Sequence, residues 1–156
     1  MANLNGTWYN ELGSVMTIQT NGNTISGTYQ TAVGDATGIY DLIGQTDTDN
    51  DTCQAVGWVV VWQNQYGSLD SVTTWRGQFQ VINGIPTIVT TWLLTQETNP
   101  NDDWRSTLVR QDTFTTFQKS QEQIIESIKR GSKSSLPTPL RKVSPAAQSL
   151  PTLSYY

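Results

Sequence analysis

Apolar and polar residues alternate in short runs along most of the chain, and residues typical of turns separate these runs. A period of two is the pattern of a β-strand whose two faces meet different surroundings. Gly13-Ser14, Asn21-Gly22-Asn23 and Asn83-Gly84 predict short hairpin connections, whereas the polar runs 47–51 and 99–103 predict longer loops. The alternation predicts eight strands, at residues 6–12, 15–20, 24–32, 38–47, 54–63, 71–82, 86–95 and 104–116.

The connections between these strands are short, and this restricts the topology. Successive strands joined by a few residues pair antiparallel, so the sequence predicts an all-β, up-and-down meander. Eight such strands can close into a barrel, which removes the exposed sheet edges and leaves an interior wide enough for one small ligand. We therefore expect an eight-stranded antiparallel up-and-down β-barrel.

One face of the predicted strands has an unusual composition, because Trp shares it with Asn, Ser, Thr and Tyr rather than with Val, Leu and Ile. Residues two apart on a strand point to the same face. The residues of this parity are Trp8, Asn10, Leu12 and Ser14; Tyr29, Thr31 and Val33; Trp58, Val60 and Trp62; Ser71, Thr73 and Trp75; and Trp92 and Leu94. Indoles and hydroxyls together suit a cavity that stacks an apolar body and hydrogen-bonds a polar head. The pattern predicts a small-molecule site.

Composition excludes several other classes of protein. The 156 residues give room for one domain, only 14% of them are charged, and the net charge of −4 leaves no basic stripe for nucleic acid. No apolar run is long enough for a membrane span. The chain has no His and one cysteine, Cys53, without Ser/His or metal-ligand spacing, so we expect neither an enzyme nor a metal site.

Composition changes near residue 118. Residues 1–118 contain 3 basic and 11 acidic side chains and all six Trp, whereas residues 119–156 contain 6 basic and 2 acidic side chains and four of the six Pro. We expect a folded domain over 1–118 and a basic, Ser/Pro-rich tail over 119–156. Within the tail, Ile at helical spacing predicts a short helix at 121–130, and the remainder is expected to be flexible.

Six segments together resemble a known family. They are Gly6-Thr7-Trp8-Tyr9-Asn10-Glu11-Leu12-Gly13-Ser14, Gly27-Thr28-Tyr29-Gln30-Thr31-Ala32-Val33-Gly34, Gly57-Trp58-Val59-Val60-Val61-Trp62-Gln63-Asn64, Ser71-Val72-Thr73-Thr74-Trp75-Arg76-Gly77-Gln78, Thr91-Trp92-Leu93-Leu94-Thr95, and Trp104-Arg105-Ser106-Thr107-Leu108-Val109 with Asp112-Thr113-Phe114-Thr115 after it. In order and spacing they resemble the avidin/streptavidin family of biotin-binding proteins, on its streptavidin-like side. The resemblance covers residues 4 to about 117.

The resemblance implies a role for each polar residue of the site. Asn10, Ser14 and Tyr29 match the three donors to the ureido oxygen of biotin. Asp112 and Thr31 match the acceptors of the two ureido N–H groups, and Thr73 matches the hydroxyl that faces the thioether. Ser71 and the backbone of Asp35 match the groups at the carboxylate end of the ligand.

The apolar residues and the assembly follow from the same resemblance. Trp62, Trp75 and Trp92 match the walls around the bicyclic ring, and Leu12, Val33, Leu94 and Leu108 match its apolar contacts. Trp104 matches the residue that caps the site of a neighbouring subunit, so a homotetramer is expected. Loop 33–38 matches a lid that closes over the ligand. Biotin is expected as a ligand and not as a cofactor, and no other cofactor is expected.

Three questions stay open at this point. Arg110 has the same parity as Asp112, so its guanidinium either turns inward to pair with that carboxylate or lies outside in solvent. Composition alone also permits a carbohydrate-binding module that stacks Trp on sugar faces. No secretory signal precedes the first strand, so a cytoplasmic location stands as the alternative to the secretion that the family resemblance suggests.

Overall fold

The chain folds as a β-barrel in a computed structural model that describes residues 3–31, 38–48, 52–63 and 70–131. Within these ranges there are eight β-strands, a 3₁₀ helix at Pro100–Arg105 and a C-terminal α-helix, α1, at Gln121–Lys129. The strands are β1 (Gly6–Tyr9), β2 (Val15–Asn21), β3 (Thr24–Gln30), β4 (Ile39–Thr46), β5 (Cys53–Trp62), β6 (Ser71–Ile82), β7 (Ile85–Gln96) and β8 (Thr107–Thr115). In this part of the chain, no helix combines the length and the apolar character that crossing a membrane requires.

Each strand pairs antiparallel with the next, and β8 returns to β1 to close the barrel. The central pairs β5–β6 and β6–β7 have ten and twelve residue pairs in register. The closure is much shorter, because β1 and β8 are paired at the single position Tyr9–Thr115. The predicted eight-stranded, antiparallel, up-and-down barrel is therefore confirmed.

The tight turns follow from residue type. The β6–β7 hairpin has a two-residue loop, Asn83-Gly84, between the paired residues Ile82 and Ile85. Both loop residues have positive φ, 51° for Asn83 and 77° for Gly84. This is the geometry that Asn-Gly favours in a two-residue hairpin, since its twist matches that of the flanking strands.

One set of alternating side chains fills the barrel. Trp58 stacks on Trp75 with ring centroids 5.6 Å apart, and Phe114 meets Trp58 edge-on at the same distance. The Trp8 indole N–H donates to the Leu4 carbonyl at 2.9 Å, so the segment before β1 covers this end of the core. These contacts give the interior a packed, aromatic base.

Two strand boundaries differ from the prediction by three residues, whereas the others agree to within two. β1 ends at Tyr9 rather than at residue 12, because the Asn10 side chain accepts the backbone N–H groups of Leu12 and Ser14 and turns the chain. β8 begins at Thr107 rather than at residue 104, because Pro100–Arg105 forms a 3₁₀ helix.

The predicted C-terminal helix is present as α1, at Gln121–Lys129. The helix begins with a capping box, in which Ser120 Oγ accepts the Gln123 backbone N–H and Gln123 Oε1 accepts the Ser120 backbone N–H. The predicted flexible remainder of the tail, beyond residue 131, and most of the predicted lid at 33–38 lie outside the described residues.

Candidate ligand-binding site

The turn between β1 and β2 presents polar groups to the barrel interior. Asn10 and Ser14 are buried, as is Tyr29 on β3. Asn10 Oδ1 accepts the N–H groups of Leu12 and Ser14 at 3.0 and 2.9 Å, which fixes the orientation of the amide. Its Nδ2 therefore faces the Tyr29 hydroxyl, at 3.4 Å. The turn thus holds an amide donor beside a phenol inside the barrel.

A carboxylate lies on the last strand. Asp112 on β8 is fully buried. Trp75 Nε1 donates to its Oδ2 at 2.9 Å, and Thr90 Oγ1 donates to its backbone carbonyl at 3.0 Å. These two bonds, from β6 and β7, fix both the backbone and the carboxylate. A hydrogen bond to an ionised carboxylate is stronger than a neutral one, so the group is well positioned to accept N–H donors.

A second carboxyl group lies close to Asp112. Glu11, in the β1–β2 turn, accepts the Thr113 backbone N–H at Oε2, at 2.9 Å. Burial and, after it, the negative charge of Asp112 raise the pKa of Glu11 from 4.5 to about 7. Sequence analysis missed this residue as a functional group.

Aromatic rings surround the polar groups. Tyr29 stacks on Trp75 at a centroid distance of 5.1 Å and meets Trp62 edge-on at 5.7 Å. Trp62 is oriented by a hydrogen bond from its Nε1 to Thr73 Oγ1 at 2.8 Å. Tyr40, on β4, packs edge-on against Trp62 at 4.9 Å and was not identified from the sequence either. The network fixes the plane of each ring.

Some buried polar atoms have no hydrogen-bond partner in the described part of the chain. They include Ser71 Oγ at the start of β6 and Trp92 Nε1 on β7. A buried polar atom left unpaired costs about 1–3 kcal/mol, so a ligand or water is expected at both. Leu94, two residues after Trp92, is also buried, and so is Leu12 in the β1–β2 turn.

Several predicted site residues lie elsewhere. Trp104 belongs to the 3₁₀ helix and is 75% exposed, and Leu108 on β8 is 51% exposed. Thr31 follows β3 and is half-buried. Val33 and Asp35 lie outside the described residues.

Arg110 is exposed, and its Nη1 donates to the Val109 carbonyl at 2.7 Å. Of the two alternatives left open by the sequence, the structure therefore shows the outward one. No cluster of three or more His, Cys, Asp or Glu side chains in the described ranges could hold a metal ion.

A closed β-barrel whose interior combines fixed hydrogen-bonding groups with oriented indoles is the architecture of a small-ligand-binding barrel. Comparison with known proteins defines the family. Residues 1–117 match the model of the avidin family. The chain belongs to the avidin family.

Individual relatives agree with this assignment. Avidin from Gallus gallus is 35% identical over 127 residues, which cover 76% of this chain and 81% of that protein. Avidin-related protein 4/5 from Gallus gallus is 34% identical over 118 residues, 72% of this chain and 76% of the relative. Afifavidin from Afifella pfennigii is 30% identical over 127 residues, 77% of this chain and 73% of the relative.

Proposed function

We propose that this chain binds biotin non-covalently inside the barrel, with one site per subunit and no chemical conversion of the ligand. The observation that carries the proposal is the convergence of polar groups from three distant segments. Asn10 Nδ2 lies beside the hydroxyl of Tyr29, and Asp112 is held by Trp75, which itself stacks on Tyr29. A cyclic urea offers one acceptor between two N–H donors, so its recognition needs donors and acceptors arranged in this way.

The donors act on the ureido oxygen. In the proposed complex Asn10, Ser14 and Tyr29 donate to this one atom. Three converging donors draw electron density onto the oxygen, which stabilises charge there as preorganised donors do in an oxyanion hole. The ureido N–H groups then become better donors, and Asp112 and Thr31 accept them. Because Asn10 is already fixed by two backbone bonds, little side-chain ordering remains to oppose binding.

The indoles supply the apolar contact. Trp62, Trp75 and Trp92 are each buried, and in the proposed complex they contact the bicyclic ring, with Thr73 near the thioether. The hydrogen bond between Trp62 and Thr73 keeps that indole in place before the ligand arrives. Ser71 Oγ, buried and without a partner in the described ranges, is assigned to the carboxylate end together with the Asp35 backbone.

Assembly completes the site in this proposal. Trp104 is too exposed to enclose a ligand in its own barrel, and we assign it to the site of a neighbouring subunit. The outer wall also carries exposed apolar side chains that suit a subunit interface. They are Ile39, Ile43, Val61, Leu93 and Val109. We propose a homotetramer, the assembly that the family resemblance implies.

The burial of the indoles favours this proposal over a carbohydrate-binding module. Such a module would present aromatic rings on an exposed surface, whereas Trp62, Trp75 and Trp92 are 0–1% exposed. Of the six indoles only that of Trp104 is exposed, and one exposed ring offers a sugar a single stacking surface. The proposed complex uses no cofactor.

Calorimetric titration of biotin, combined with a measurement of mass in solution, tests the proposal. We expect one biotin per 17.3 kDa chain and a mass of about four chains. Glu126, an exposed carboxylate on α1, provides a matched control, because Glu126→Gln removes one negative charge outside the barrel. Binding of oligosaccharides without any heat of biotin binding would refute the proposal.

A further inference from the structure

Glu11 ties the β1–β2 turn to the last strand at the closure of the barrel. The β1–β8 ladder has one residue pair, Tyr9–Thr115. The bond from the Thr113 N–H to Glu11 Oε2 extends this contact beyond the end of β1. Glu11 directly follows Asn10 and is bonded to the neighbour of Asp112, so a single side chain joins two groups of the proposed site.

The charges around Glu11 come from two elements. Asp112 on β8 opposes its ionisation, and Lys119, between β8 and α1, favours it. Lys119 Nζ donates to Thr115 Oγ1 at 2.7 Å, which fixes its position near the closure. Tyr29 on β3 contacts the turn through Asn10. Burial and the negative charge outweigh the lysine and the backbone bonds, so the pKa of Glu11 rises to about 7.

We propose that Glu11 is a positioning residue that takes up a proton when biotin binds, so that affinity for the ligand falls as pH rises through neutrality. This inference rests on the proposed function. An ionised Asp112 accepts a ureido N–H more strongly than a neutral one, and a ligand beside the β1–β2 turn would exclude water from the half-buried Glu11. One negative charge is tolerated there more easily than two, and the proton therefore binds to Glu11.

The sign of the pH dependence follows from linkage. Deeper burial raises the pKa of Glu11 further in the complex, so the complex binds more protons than the empty protein. Binding is then tightest below pH 7, where Glu11 is already protonated. With a pKa of about 7 in the empty barrel, the fraction protonated at pH 8 is about one in ten. The dissociation constant at pH 8 is therefore expected to be up to about tenfold larger than at pH 6.

The Glu11→Gln variant removes the titrating group but keeps the hydrogen bond to Thr113. The amide oxygen of Gln can still accept the Thr113 N–H, but the side chain has no charge and does not titrate. We would titrate desthiobiotin, a cyclic urea without the thioether, at pH 6, 7 and 8 into the full chain, the Glu11→Gln variant and the Glu126→Gln control. The urea does not titrate in this range. At pH 7.5, repeating the titrations in two buffers of different ionisation enthalpy reports the protons taken up.

The expected result is a larger dissociation constant at higher pH, with net proton uptake, in the unmodified chain and in Glu126→Gln. Glu11→Gln should bind with an affinity that does not change over this range and without proton uptake. If the unmodified chain binds equally well at pH 6 and pH 8, or if Glu11→Gln keeps the pH dependence, the inference is wrong and the proposed function stands. If neither desthiobiotin nor biotin binds at any pH, the proposed function itself fails.

Discussion

Replacing Glu11 by Gln should stabilise the empty barrel at high pH and leave it unchanged at low pH. In the folded chain the pKa of Glu11 is about 7, against 4.5 as the ordinary value. The folded state therefore binds more protons than the unfolded state between these two values, and ionisation of Glu11 destabilises the fold as pH rises. Gln avoids this cost and retains an acceptor for the Thr113 N–H.

The difference in pKa sets the size of the effect. One pKa unit corresponds to about 1.4 kcal/mol, so the shift from 4.5 to about 7 amounts to about 3 kcal/mol once Glu11 is fully ionised. We expect Glu11→Gln to raise the free energy of unfolding by about 3 kcal/mol at pH 8 and by about 2 kcal/mol at pH 6. Near pH 4, where Glu11 is protonated in both states, we expect a difference close to zero.

Urea-induced unfolding at these three pH values measures the difference. Urea is uncharged and does not screen the two carboxyl groups, and equal protein concentrations keep the contribution of assembly comparable. Glu126→Gln serves as the control and should change the free energy of unfolding by no more than about 0.5 kcal/mol, because its ion pair with Arg130 is exposed. A Glu11→Gln effect that is the same at pH 4 and pH 8 would show that charge on Glu11 does not destabilise the fold.

Four further substitutions test the site and the barrel separately. Asp112→Asn removes a charge-assisted acceptor, which is worth about 1.5–3 kcal/mol, so biotin should bind about 10- to 150-fold more weakly. Calorimetric competition measures this change, and an unchanged affinity would exclude Asp112 from the site. Trp104→Ala should change the free energy of unfolding of the barrel by no more than about 0.5 kcal/mol. It should accelerate biotin dissociation, measured by ligand exchange, about 30-fold or more, as expected for a buried Trp of an interface. An unchanged dissociation rate would mean that Trp104 caps no site. Gly77→Ala would place Cβ 1.9 Å from the Val89 carbonyl oxygen and should lower the free energy of unfolding in urea by about 3 kcal/mol or more. In Gly57→Ala the atom nearest to the new Cβ is 3.2 Å away, so the loss of stability should be smaller. Equal losses in the two variants would contradict the steric explanation.

The sequence predicts the fold closely where apolar and polar residues alternate along a strand without interruption. All eight strands lie near their predicted positions, since each face of the barrel meets one environment throughout and the turn residues mark the ends. The prediction is wrong where a local bond competes with strand pairing. Asn10 ends β1 early by accepting two backbone N–H groups, and the 3₁₀ helix after Asn99 delays the start of β8.

The site is predicted less completely, because some of its properties depend on groups that are distant in the sequence. Parity indicates that Trp75 and Asp112 share the interior, but only the folded chain shows the hydrogen bond between them. Glu11 has no unusual local context. Its raised pKa comes from its burial and from Asp112, and its partner Thr113 is 102 residues away. No periodicity along the strand reveals such a contact.

The single Tyr9–Thr115 pair makes the meeting of β1 and β8 the weakest seam of the sheet. Local opening begins where backbone bonds are fewest, so this seam should be the first part of the empty protein to exchange its amide hydrogens. Asn10 lies on one side of the seam and Asp112 on the other. A ligand bound to both residues would link β1 to β8. The junction between these strands should therefore open less often as the fraction of barrels with bound ligand increases.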